Sequence, residues 1–144
     1  MAGPEPGAGI VKQVHVVVPG QPVGKGRPRF GNGRAYTPAK TREYETKIAN
    51  AAYVEMAELE PATTPVRLVI LAQFEIPKSW AKWRKEAATV GVYRPGRPDI
   101  DNIAKAVLDA FNGIVYVDDA QVYDLQIKKT YGQPLLVVTA TWDE

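Results

Sequence analysis

Hydrophobic positions along this chain change their spacing several times, and each change predicts an element. The β-branched run from Val14 to Val18, closed by Pro19 and Gly20, reads as a strand. From Thr37 or Pro38 the period lengthens, and Tyr44, Ile48, Ala51, Ala52, Val54, Glu55 and Leu59 imply a long helix with a partly apolar face, running to about Leu59. Val66 to Ile76 is apolar and rich in β-formers until Pro77 stops it, and Ser79 stands where it can cap a short helix through Ala88. Ile100, Ile103, Ala104, Val107, Phe111 and Ile114 then recur at helical steps and define one buried stripe, with Gly113 as the stop. Ile114 to Val117 is short and β-branched, one strand or the approach to one. Val122 to Thr130 and Leu135 to Trp142 read as two strands joined at Tyr131 to Pro134. The sum is β-α-β-α-α-β-β, an α+β domain with a mixed or largely antiparallel sheet and flanking helices.

Acidic residues gather at two points that the stripe helix can bring together. Asp99 and Asp101 stand at its mouth, and Asp118 and Asp119 follow the return segment. Carboxylate oxygens are hard ligands suited to Mg²⁺ or Mn²⁺, and Mg²⁺ takes one or two of them and completes its octahedron with water and substrate phosphate. Each element also has a plainer reading. Asp99 and Asp101 can cap the helix and complement its dipole, Asp101 with Lys105 can be a surface ion pair, and Asp118 and Asp119 can be turn residues. Asp101, Lys105 and Asp109 are spaced as neighbours along one helix face. It is the conjunction of two acidic pairs, a lysine one turn away and arginine-rich chain nearby that favours a functional site.

The formal net charge of +2 understates the local field. Lys25 to Lys47 holds seven Lys or Arg against two Glu, and Lys78 to Arg97 holds six against one Glu. Such clusters supply phosphate contacts that are independent of sequence and sensitive to salt, although a solvated face is the ordinary alternative. In GKGRPRFGNGR, interspersed Gly and Pro are expected to keep the backbone out of regular structure, leaving Lys25, Arg27, Arg29 and Arg34 on a loop able to follow a DNA backbone. Phe30 is either an exposed aromatic for stacking on an unpaired base or the anchor of that loop. Trp80 and Trp83 share a helical face in this reading, which suits packing on the sheet or a partner better than stacking on DNA. His15 reads as structural.

The run DIDN at Asp99 to Asn102, Lys105, LDAFNG at Leu108 to Gly113 and DDAQV at Asp118 to Val122 resembles the signature of the RusA family of Holliday-junction resolvases in order and spacing. Gly24 to Glu45 is similar to the basic loop and first helix of many members, phage-borne ones included. The resemblance covers roughly residues 16 to 142. It implies a Mg²⁺-dependent endodeoxyribonuclease (Mn²⁺ offers the same chemistry) that acts as a homodimer and nicks a four-way DNA junction in pairs, in recombination, repair or phage DNA processing. The family's essential acidic positions fall on Asp99, Asp101 and Asp119, which carry catalysis and the metal, and its essential lysine on Lys105. Asp118 belongs to the motif, and Asn102 stands where an amide can hold a carboxylate in one rotamer. Lys25, Arg27, Arg29, Phe30, Arg34 and Arg97 are the DNA-contact candidates.

At 144 residues and 45% hydrophobic content, the chain fits one domain, expected over residues 11–144 after a Gly/Pro/Ala-rich flexible tail at residues 1–10. No cysteine is present, which excludes disulfide and thiolate-zinc chemistry, and a single histidine leaves histidine-based metal chemistry no material. No apolar run reaches the ~20 residues needed to span a bilayer, so no membrane is expected and the cytoplasm of a bacterial or phage-infected cell is. Three rivals stand beside the resolvase reading: a non-catalytic module that binds branched nucleic acid, a flap- or duplex-preferring metal nuclease, and a metal-dependent hydrolase of a small phosphorylated substrate.

Overall fold

A computed structural model of the chain describes residues 9–26, 29–36 and 38–144. Arg27, Thr37 and residues 1–8 of the expected tail lie outside them. The elements are β1 (Val11–Pro19), β2 (Arg29–Gly31), β3 (Arg34–Tyr36), α1 (Ala39–Met56), β4 (Val66–Phe74), α2 (Lys82–Thr89), α3 (Ile100–Phe111), a 3₁₀ turn at Asp119–Gln121, β5 (Val122–Tyr131) and β6 (Leu135–Asp143). The fold is α+β, in the expected element order with one hairpin added.

Four strands form a mixed sheet in the order β1-β6-β4-β5. β6 runs antiparallel to both β1 and β4, while β4 and β5 are parallel. Parallel neighbours need a crossover connection, and α2, α3 and the 3₁₀ turn supply it. β5 and β6, consecutive in sequence, are therefore separated by β4. Strict alternation buries Val14, Val16 and Val18 of β1, Val66 to Phe74 at every second position of β4, and Leu136, Val138, Ala140 and Trp142 of β6 on one face. Against that face lie Ile48 and Ala52 of α1 with Ile103, Val107 and Phe111 of α3. These side chains make one continuous core, and their removal from water is the main favourable term holding α3 in place.

Several expectations are corrected. The GNG segment is not irregular: Asn32 and Gly33 both take positive φ (52° and 73°) and close a two-residue hairpin of β2 on β3, the geometry Asn-Gly favours because its twist matches that of the strands. α1 ends at Met56, because Ala57 turns to φ 48°, and its buried face is Thr41, Tyr44, Ile48, Ala52 and Met56; Val54 is 71% exposed. β4 stops at Phe74, where the N–H of Glu75 donates to Gln21 Oε1 instead of to a strand. Ser79 does not cap α2, whose N-cap is Ala81, so Trp80 precedes the helix and does not share a helical face with Trp83. Ile100 is exposed, since the buried stripe of α3 begins at Ile103. Ile114 to Val117 forms a turn, with isolated bridges from Tyr116 to Ala62 and to Asn112. His15 sits on the open face of the sheet, with Nδ1 2.9 Å from Thr139 Oγ1. Among the described residues no helix is long and apolar enough to cross a membrane.

Candidate nuclease site

The first carboxylate stands at the N-terminus of α3, and its side chain has no capping duty. Asp99 is the N-cap residue, yet only its backbone carbonyl is used, accepting the N–H groups of Asn102 and Ile103 at 3.1 and 3.2 Å. Asp101 follows in the first turn, exposed. Neither side chain belongs to an ion pair among the described residues. Among the described residues neither residue makes a side-chain cap or an ion pair, while Asp101 does stand in the first turn, where its charge complements the helix dipole. Lys105 points its ammonium 3.8 Å from Asp109 Oδ1, one turn further along the helix, and is 64% exposed.

Asp118 and Asp119 have different environments. Oδ2 of Asp118 accepts the N–H of Ala120 at 3.1 Å while Gln121 Oε1 accepts the N–H of Asp118 at 2.9 Å, a reciprocal capping box. The Gln121 amide also donates to the carbonyls of Ala62 and Thr64 at 2.8 and 3.0 Å. Asp118 and Gln121 thereby fix the turn on the neighbouring loop and leave the half-exposed carboxylate of Asp119 without a hydrogen-bond or ionic partner among the described residues. Behind the turn, the buried Tyr116 hydroxyl donates to Leu108 O at 2.7 Å. Burial pushes its pKa well above the usual tyrosine range, and the charges of Asp119, Asp109 and Asp118 push it further.

The loop after β1 docks on α3 through backbone contacts. Lys25 N–H donates to Asn102 O at 2.8 Å, and a Cβ added to Gly24 would meet Pro98 Cβ at 2.7 Å and Asn102 Cβ at 3.1 Å, so only glycine allows this approach. What Asn102 contributes here is its carbonyl. Lys25 turns inward, with Nζ 2.8 Å from both Glu45 Oε1 and Asp109 Oδ2. Burial pulls its pKa down, but hydrogen bonds to Asp109 and Glu45 and their charges outweigh that, and the net shift is upward. Lys129 of β5 holds the far side of the site by donating to the carbonyls of Gly96 and, at 3.1 Å, Pro98.

Between these loops runs an open groove of about 450 Å³, lined by Lys25, Lys40, Arg97, Pro98, Asp99 and Asn102 among others. A second groove shares Gly24, Gly26, Lys40 and Pro98 with it and reaches Arg29 at the foot of the hairpin. On the hairpin Arg29, Arg34 and Tyr36 are exposed, and Phe30 is 82% exposed, so it is not an anchor. The carboxylates of Asp99, Asp101 and Asp119 are the right donors for a hard divalent ion, being oxygen ligands with no ion-pair partner among the described residues. Among the described residues, however, no three acidic side chains stand together closely enough to hold a metal. Sequence reasoning missed Glu45, Tyr116, Lys40 and Lys129. The partners of Glu45 and Lys129 lie 20 or more residues away, Lys40 enters only by lining the groove, and only Asp109 carried a local signal, the four-residue step from Lys105.

Asp99 lines the cationic groove, and Asp101 and Lys105 follow it on α3. The chain belongs to the RusA endodeoxyribonuclease family, whose model matches residues 19–140. It is also similar to an uncharacterized protein, YqaN, of Bacillus subtilis (strain 168), with 37% identity over 127 residues, 83% of this chain and 89% of that protein.

Proposed function

We propose that this endodeoxyribonuclease is Mg²⁺-dependent and resolves four-way DNA junctions by paired nicks. It would act as a homodimer, in the cytoplasm of a bacterial or phage-infected cell, on the branched DNA of recombination, repair or phage replication. The observation that carries the reading is that, among the described residues, the side chains of Asp99, Asp101 and Asp119 have no cap hydrogen bond or ion-pair partner, while Lys105 shares α3 with Asp101 and Asp99 lines the basic groove. Mg²⁺ needs few protein carboxylates, because substrate phosphate and water complete its shell.

Asp99, Asp101 and Asp119 would hold the ion. When bound it supplies a Lewis acid at the phosphoryl oxygen and lowers the pKa of a water. Lys105 would place a fixed cation against the charge that grows on the phosphoryl oxygens, and Asp109 restrains that ammonium from one turn away. Lys40, Arg97, Arg29 and Arg34 would carry backbone phosphates along the groove and hairpin, with Phe30 offering a face to an unstacked base. Lys25 has two carboxylate partners, so its part is to seat the loop. Asp118 would orient Asp119 through the capped turn. Two copies related by a two-fold axis would place one such site on each of two opposing strands.

The test is cleavage of an end-labelled immobile four-way junction, beside linear duplex and flap controls, with Mg²⁺ or with EDTA. Symmetric nicks confined to the junction and absent in EDTA are expected. Cutting of flap or duplex in preference would replace the substrate assignment, and metal-independent cutting would remove the mechanism.

A further inference from the structure

Beyond the groove, residues 78–97 carry six Lys or Arg and one Glu, and none of the six cations joins an ion pair among the described residues. Within this segment the aromatic side chains are organised. Trp80 packs edge-on against Tyr93 and Tyr131, with ring centroids 5.9 and 5.4 Å apart. The Arg84 guanidinium lies 3.8 Å from the centre of the Trp80 ring and 5.2 Å from that of Tyr93. Trp83 is the outer member, tilted against Tyr93 at 6.3 Å and 64% exposed. A tryptophan left in water forgoes a large burial gain, and here it is held on a rigid cluster among un-neutralised cations.

The cluster shares its support with the candidate site. Tyr131 and Lys129 lie two apart on β5; the first packs against Trp80, and the second holds the carbonyls of Gly96 and Pro98, next to Asp99. The segment itself ends at Arg97, which lines the groove. We propose that Trp83 is a stacking platform for an unpaired base of the DNA strand, with Lys78, Lys82, Arg94 and Arg97 bearing that strand's phosphates. The occupant is nucleic acid on grounds of charge: an exposed aromatic on a segment with six cations and one carboxylate complements a base on a polyanion, and an apolar protein partner would leave those cations without counter-charge. The inference rests on the nuclease reading and adds to it a strand contact away from the acidic residues.

The test is binding by the full chain, without divalent ion, of a labelled single strand, a linear duplex and a four-way junction. Trp83→Ala is expected to weaken single-strand and junction binding about ten-fold, to change duplex binding less than about two-fold, and to leave the salt dependence unaltered. Trp83→Phe is expected to bind nearly as the parent. The parent's tryptophan fluorescence should be quenched by the single strand, and this quenching should shrink in Trp83→Phe, which keeps Trp80 and Trp142. Unchanged binding and quenching in both variants would overturn the platform while leaving the nuclease reading intact. So would a change of oligomeric state in Trp83→Ala with DNA binding preserved, since the face would then contact protein. A parent chain that binds no DNA would overturn both.

Discussion

The ammonium of Lys25 lies 2.8 Å from Oδ2 of Asp109 and 2.8 Å from Oε1 of Glu45, and this one contact ties the loop after β1 to both helices. All three side chains are about four-fifths buried, so the pair is poorly screened and its loss is felt more than that of a surface pair. Asp109 also faces Lys105 at 3.8 Å. Asp109→Asn is expected to lower the unfolding free energy by about 1–2 kcal/mol, a fall in Tm of about 3–8 °C. Combined with Lys25→Met, the losses should be less than additive in urea denaturation; full additivity would mean that the two side chains are not coupled.

Alkaline pH should expose the same region. Lys25 and Tyr116 both hold their protons more tightly in the fold than in the unfolded chain, Lys25 because hydrogen bonds outweigh burial and Tyr116 because of burial and nearby carboxylates. A raised pKa of either group stabilises fully below its unfolded value. That contribution is lost as pH climbs towards the folded value, because the unfolded chain releases the proton first. Stability should therefore decline from about pH 10 upward. Tyr116→Phe should cost about 1 kcal/mol at neutral pH, by deleting the hydrogen bond to Leu108, and should flatten the alkaline decline. Chemical denaturation across pH 8 to 11 measures both effects.

How much of this was legible in the sequence depends on how local each cause is. Strands β1, β4 and β6 were readable because one buried face imposes a two-residue period, and α3 because Ile103, Val107 and Phe111 keep a helical one. The acidic groups were readable because Asp99 to Lys105 and Asp118 to Gln121 are each a few residues long. The hairpin was misread although Asn32 and Gly33 signalled it, since the weight given to Gly and Pro hid the turn. The face of α1 was misassigned because Val54 and Met56 are both apolar, and only packing chooses Met56. Nothing local could reveal Lys25 meeting Asp109, which lies 84 residues on, or separate Asp118, committed to its cap, from Asp119.

Gly24 offers a test of how closely the loop must approach Asp99. In Gly24→Ala the new methyl would sit 2.7 Å from Pro98 Cβ and 3.1 Å from Asn102 Cβ, neither of them the end of a flexible side chain. We expect a loss of about 1–3 kcal/mol by thermal unfolding and a slower nicking rate as Pro98 and Asp99 are displaced. Parent stability in this variant would show that the loop yields freely.

Phe30 separates binding from folding. Because its ring is 82% exposed, Phe30→Ala should leave the unfolding free energy within about 0.5 kcal/mol of the parent. Junction affinity should fall by about ten-fold if the ring stacks on an unpaired base. Fluorescence anisotropy with a labelled junction reads the second effect, and unchanged affinity would leave Phe30 without a part in DNA contact.

The central claim is that the free carboxylates cut while the basic surfaces bind. It is tested most directly by Asp101→Asn, assayed on one labelled four-way junction for nicking in Mg²⁺ and for affinity without it. Asp101 is exposed and makes no ion pair among the described residues, so the variant should fold as the parent does. The account predicts that nicking is abolished while the dissociation constant stays within about two-fold of the parent's, as expected when phosphate contacts carry the binding. Undiminished nicking, or loss of nicking and binding together, would contradict it.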